Sequence, residues 1–167
     1  MTFVEPTGSP APTSEVLLSY LAYFRQRVLE KVSALPPTAL TSSILPSGWT
    51  PLELVQHLTF VEMRWLEWGF EGVSVDEPWG DSLDDRWHVA NKATKDSLLA
   101  ALRARGVETQ RIVRHHAIED RGQPGPRWKG AAPPNLERVL FHLMQEYARH
   151  VGHLDIVCEL IDGEIGE

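Results

Sequence analysis

The residues richest in chemistry lie in one run near the C-terminal end, FHLMQEYARHVGHLD, which holds His142, Glu146, His150 and His153. Three imidazoles and a carboxylate at this spacing could hold a divalent metal ion if they share a helix face. Each residue of an α-helix turns by about 100°, so with Glu146 at zero His142 falls at about −40°, His150 at about +40° and His153 at about −20°. Val139, Leu143, Leu154, Val157 and Ile161 fall in the same sector, between about +20° and +80°. The stripe is therefore expected to face the core, where an unpaired carboxylate is expensive and a metal ion would neutralise it.

Helical rise limits which residues can act together. His142 and His153 are separated by about 16 Å along the axis and cannot share one ion. The i, i+4 pairs His142/Glu146 and Glu146/His150 and the i, i+3 pair His150/His153 all stay open. A site inside a helical bundle needs a further ligand from another helix. His57 is the natural candidate, at the edge of an apolar stripe formed by Leu54, Val61, Trp65 and Trp68. Two histidines and one carboxylate leave a coordination position open, as in a catalytic rather than a closed structural site. The competing reading is a hydrogen-bonded histidine stripe in a non-catalytic, metal-free bundle. Around the site, Trp49 and Trp65 could wall a substrate pocket, and Arg64 and Arg149 could meet an acidic substrate group. Glu62 is ambiguous between site and surface, and Cys158, at about +120°, lies off the stripe and reads as a small core residue.

Four helices must position these groups. The first is expected from about Ser14, as its cap, to Ala34, ended by Pro36-Pro37, and a connection over 35–49 without a strand follows it. Thr50-Pro51-Leu52-Glu53 marks the second start, with Thr at the N-cap, Pro at N1 and Glu at N3, and its apolar stripe runs to about Gly69. A third helix is expected to begin between Asp84 and Asn91 and to reach His115, continuous through Gly106. After a long loop over 117–134, Asn135 should cap a fourth helix that runs to about Asp162 and stops at Gly163. With no sustained alternation and no internal repeat, these elements predict an all-α four-helix bundle.

Composition narrows the function classes. A 167-residue chain suits one domain, expected over 14–167 behind a mobile Pro-rich tail over 1–13. Its single cysteine excludes an internal disulfide scaffold and favours a reducing cytoplasm. The opening MTFVEPTGSPAPT has neither a basic n-region nor an apolar h-region, and the longest uncharged stretch, Val32 to Leu52, is broken by four prolines, so neither a signal peptide nor a membrane helix is expected. A formal net charge of −7 argues against nucleic acid as a partner.

The two motifs GWTPLELVQHLTFVEMRWLEWGF and HLMQEYARHVGHLDIVCELIDG resemble the DinB-like superfamily, and within it the mycothiol-transferase branch. The resemblance covers most of the chain from about residue 14 and implies a four-helix bundle of up-down-down-up topology, often a homodimer. The family signature is a three-histidine metal site, one His from the second helix and a His-x3-His pair from the last. His57 matches the first position and His150 the second His of the pair. Glu146 stands where the family has the other His, so the resemblance implies a His57, Glu146, His150 site, with His153 or His142 as an alternative ligand or an outer partner. Zn²⁺ comes first by that analogy, with Ni²⁺, Mn²⁺ and Fe²⁺ open because a carboxylate hardens the site. Characterised relatives include mycothiol and bacillithiol S-transferases and the mycothiol-dependent maleylpyruvate isomerase. The implied function is metal-dependent S-transfer in detoxification, with a low-molecular-weight thiol activated as the metal-bound thiolate to attack a small electrophile. A metal-dependent hydrolase or an Fe(II) enzyme on the same ligands is the alternative enzyme reading.

Overall fold

The computed structural model describes residues 4–8 and 10–163; residues 1–3 and 9 of the expected tail and 164–167 of the expected domain lie outside the described residues. Helix α1 spans Thr13–Ala34 and buries Leu17, Leu21, Val28, Leu29 and Val32 at helical spacing. It starts one residue earlier than expected. Pro12 occupies the N-cap and no side chain caps the helix, so Ser14 lies in the first turn instead of serving as the cap. Pro36 and Pro37 end α1 and begin a single helical turn, α2, Pro37–Leu40, whose Ala39 and Leu40 enter the core.

Helix α3 spans Pro51–Trp65. Its start forms a full capping box: Thr50 Oγ1 accepts from the Glu53 backbone N–H, and the Glu53 carboxylate accepts from the Thr50 backbone N–H. The same chain direction continues through a π-helical turn, Leu66–Phe70. The third long helix begins later than expected. Residues that were expected to open it form instead a two-stranded antiparallel hairpin, β1 at Ser82–Leu83 and β2 at Arg86–Trp87, turned by Asp84 and Asp85 at positive φ. Helix α4 then spans Lys95–His115, with a reciprocal Thr94–Ser97 cap that marks its true start. Helix α5 spans Leu136–Asp162, capped by Asn135 and closed by Gly163 at φ 79°.

Helix α1 packs against α5 and α4, and α3 packs against α4 and α5, so the four long helices enclose one core. A buried polar clasp joins them. Arg25 of α1 donates three hydrogen bonds of 2.9–3.0 Å to the Glu62 carboxylate of α3, which also accepts from Thr109 of α4 and Tyr147 of α5. Glu62, ambiguous from sequence, is therefore a core residue of α3 that bonds to the other three long helices. Helix α4 is continuous through Gly106 despite its poor propensity, and the glycine makes room for Arg25, whose guanidinium a Cβ there would meet at 2.8 Å. The clasp sets the register of α3 against α5, since Tyr147 follows Glu146 directly and Glu62 lies on the helix that carries His57. No helix among the described residues is long and apolar enough to cross a membrane.

Candidate metal centre

Helix α5 carries Glu146 and His150 one turn apart, as i, i+4 geometry requires, and α3 brings His57 against them. Glu146 Oε2 lies 3.2 Å from His150 Nε2 and 3.7 Å from His57 Nε2. One ligand atom from each of the three falls within 4.8 Å of the other two. Ligand atoms around a tetrahedral ion with bonds of about 2.0–2.1 Å are about 3.3 Å apart, so the two distances to Glu146 are compatible with a shared divalent ion.

The electrostatics fit the same description. Hydrogen bonding to His150, and then the nearby His57 imidazole, hold the Glu146 carboxyl well below the usual carboxylate range, against the opposing effect of burial. Burial works to lower the His57 pKa, but its hydrogen bond to Asp81 and the facing Glu146 carboxylate prevail and raise it. The ionised carboxylate thus sits among imidazoles, an arrangement that a cation can replace without leaving a buried charge unpaired.

The other sequence candidates lie around this centre. His142 reaches the far side of the carboxylate, Nε2 to Glu146 Oε1 at 3.3 Å, and packs on Trp65 at 4.0 Å between ring centroids, tilted by 38°. His153 stands behind His150, with 3.3 Å between their Nδ1 atoms, on the opposite ring edge from Glu146. Burial lowers the pKa of both His142 and His153. Two cavities flank the three residues. One, of about 430 Å³, is lined by Leu45, Trp49, Trp87, His150, His153 and Ile156, with Arg149 at its rim. The other, of about 520 Å³, lies between Trp65, Trp128, Pro134, Arg138 and His142. A larger cleft of about 550 Å³ between α1 and α4 contains none of the three residues.

Two of the pocket candidates, Trp65 and Arg64, lie away from the His57 ring face. Trp65 borders the His142 cavity; the ring that stacks on His57 is Trp87, at 4.3 Å and 19°. Arg64 is not among the residues that line the three cavities described above. It is buried, and its guanidinium pairs with Asp81 through both nitrogens. A substrate carboxylate at Arg64 would have to displace that pair. Asp81, 3.0 Å from His57 Nδ1, and Trp87 are the two site residues that sequence reasoning missed. Both lie in the non-helical connection before α4, where no periodicity assigns a face; the Asp84-Asp85 pair, read as a hairpin turn, is the signal that could have placed Trp87.

The family model described as Mycothiol-S-transferase matches residues 16–163. A comparison with curated proteins finds no match for this chain.

Proposed function

Because the chain belongs to the mycothiol-S-transferase family of the DinB-like superfamily, we propose that it is a metal-dependent S-transferase that joins a small thiol of the mycothiol type to an electrophile. The observation that carries this reading is the convergence of His57, Glu146 and His150 on one point, in a chain that the family model spans almost completely. A divalent cation held by these three would supply the positive charge that lowers the pKa of a coordinated thiol, a group otherwise near 8.5.

The chain's own residues supply the rest. His57 and His150 present Nε2 toward Glu146 Oε2, while His142 engages Oε1 and turns the carboxylate. His153 backs His150 as an outer partner. Trp87 covers the His57 ring and keeps water from that side. The Trp49/Trp87 cavity, which shares His150 with the centre, suits an apolar electrophile, and Arg149 at its rim suits an acidic substituent on it. Zn²⁺ as the ion, detoxification as the role, a cytoplasmic homodimer and the up-down-down-up bundle complete the proposal by family likeness.

The donor set itself favours one second reading: two histidines and a carboxylate also suit Fe(II) and metal-assisted hydrolysis. Dependence of turnover on added thiol separates the two. The test is elemental analysis of untagged protein purified without added metal, beside Glu146→Ala, followed by thiol-dependent consumption of an electrophile. About one metal per chain, lost in the variant, with thiol-dependent turnover, is expected. No metal in either protein and no rebinding of Zn²⁺ would overturn the proposal and leave a non-catalytic bundle.

A further inference from the structure

Asp81 belongs to an irregular connection, yet it is only 2% exposed, and its carboxylate has two partners. Oδ2 lies 3.0 Å from Arg64 Nη2 and 3.0 Å from His57 Nδ1, while Oδ1 accepts from Arg64 Nη1. Arg64 follows His57 by two helical turns on α3, so both side chains leave the same helix face. Its guanidinium pins the connection at three points: the Asp81 carboxylate, the Pro78 carbonyl at 3.1 Å and the face of Trp79, 4.5 Å from the ring centroid. The Asp81 carbonyl also accepts from the His88 backbone N–H at 2.8 Å, which ties the connection to the residue after the hairpin. Asp81 is thus held from both sides before it meets the imidazole.

A buried Arg–Asp pair needs no histidine to be electrically satisfied, yet Oδ2 is shared between the guanidinium and His57 Nδ1. Arg64 compensates the carboxylate charge, so the imidazole can remain a neutral hydrogen-bond donor. A neutral His57 that donates from Nδ1 has its Nε2 lone pair directed toward Glu146, the edge where a metal would be bound. Trp87 stacks on the ring face while Asp81 grips its edge, and together they fix both plane and rotation.

We infer that Asp81, clamped by Arg64, is a positioning residue of the metal centre, which locks His57 in the Nδ1–H tautomer and presents Nε2 as a ligand. The inference rests on the proposed function, in that it takes His57, Glu146 and His150 as the metal ligands. The hydrogen bond also makes Nε2 more basic, and outer partners of this kind change metal affinity by about 10–100-fold when they are removed. Arg64, which was expected to bind substrate, acts through Asp81 instead.

The test measures Zn²⁺ affinity by chelator competition in the wild type, Asp81→Ala and Asp81→Asn, with ¹⁵N resonances of the His57 ring read in the metal-free proteins at a pH where it is neutral. Asp81→Ala should weaken Zn²⁺ binding by about 10–100-fold and move the His57 ring from the Nδ1–H form to a mixture of tautomers. Asp81→Asn keeps shape and an acceptor oxygen but lacks the charge, so it should retain the tautomer and fall between the two in affinity. Should Asp81→Ala fail to fold because Arg64 is left buried and unpaired, Asp81→Asn decides through affinity alone. Variants that bind Zn²⁺ as tightly as the wild type, with the tautomer unchanged, would overturn the inference while the metal reading stands. A wild type that binds no Zn²⁺ would overturn the proposed function itself, and the positioning role with it.

Discussion

Replacing Gly106 by alanine is the perturbation whose sign the structure decides against ordinary propensity. In the interior of a helix the change should gain about 1 kcal/mol. Here the new Cβ would lie 2.8 Å from Arg25 Nη1, 2.9 Å from Cζ and 3.0 Å from Nε, whereas a relaxed contact needs about 3.5 Å or more. A free arginine would swing aside, but this one is buried and bound to Glu62 by three hydrogen bonds. Breaking a buried ion pair costs about 3–5 kcal/mol, and displacing the guanidinium by half an ångström or so forfeits a large part of it. The net expectation is destabilisation by about 1–3 kcal/mol, which for a chain of this size lowers Tm by roughly 2–12 °C. Urea denaturation and calorimetry of Gly106→Ala would measure it. The same substitution made on an Arg25→Met, Glu62→Gln background, where no ion pair remains to be displaced, should stabilise by up to about 1 kcal/mol, reversing the sign. A Gly106→Ala protein as stable as the wild type, or more so, would refute the reasoning.

Removal of the metal by a chelator should lower Tm, because an ion that binds only the folded chain at about 100 times its Kd adds about 2.7 kcal/mol; metal-loaded and chelated samples compared by calorimetry would show it. In the chelated protein, protonated His57 bonds to Asp81 and faces the Glu146 carboxylate, and both raise its pKa in spite of burial. Its contribution to stability is therefore fully present below the unfolded value of about 6.5 and is lost as pH rises through the higher folded value. Melting curves of the chelated protein should show that decline, and His57→Ala should not.

How far the site was legible differs residue by residue. The helical placement of His142, Glu146, His150 and His153 could be read directly, because the 3.6-residue repeat is a property of the backbone. The start of α3 was equally plain, since Thr50, Pro51 and Glu53 act on backbone groups within three residues. The start of α4 was misplaced because Trp87 and its neighbours carry apolar character that is satisfied by the site, as a hairpin over His57, and not by a helix stripe. The local Thr94–Ser97 cap was a usable signal at the true boundary.

What the sequence by itself determined, then, are the elements whose causes are local: caps, stops, periodic faces and an all-α architecture. Its family motifs also singled out His57, Glu146 and His150, although nothing within either motif brings the two helices together. That meeting, the Arg64–Asp81–His57 chain and the Arg25–Glu62–Tyr147 clasp were decided only by the tertiary structure. The physical reason is that a buried charge chooses its partner by distance after packing. Arg64 reads as a cation that could meet an acidic substrate until the loop carrying Asp81 folds over it, and Gly106 reads as a residue of poor helix propensity until the guanidinium of Arg25 lies against it.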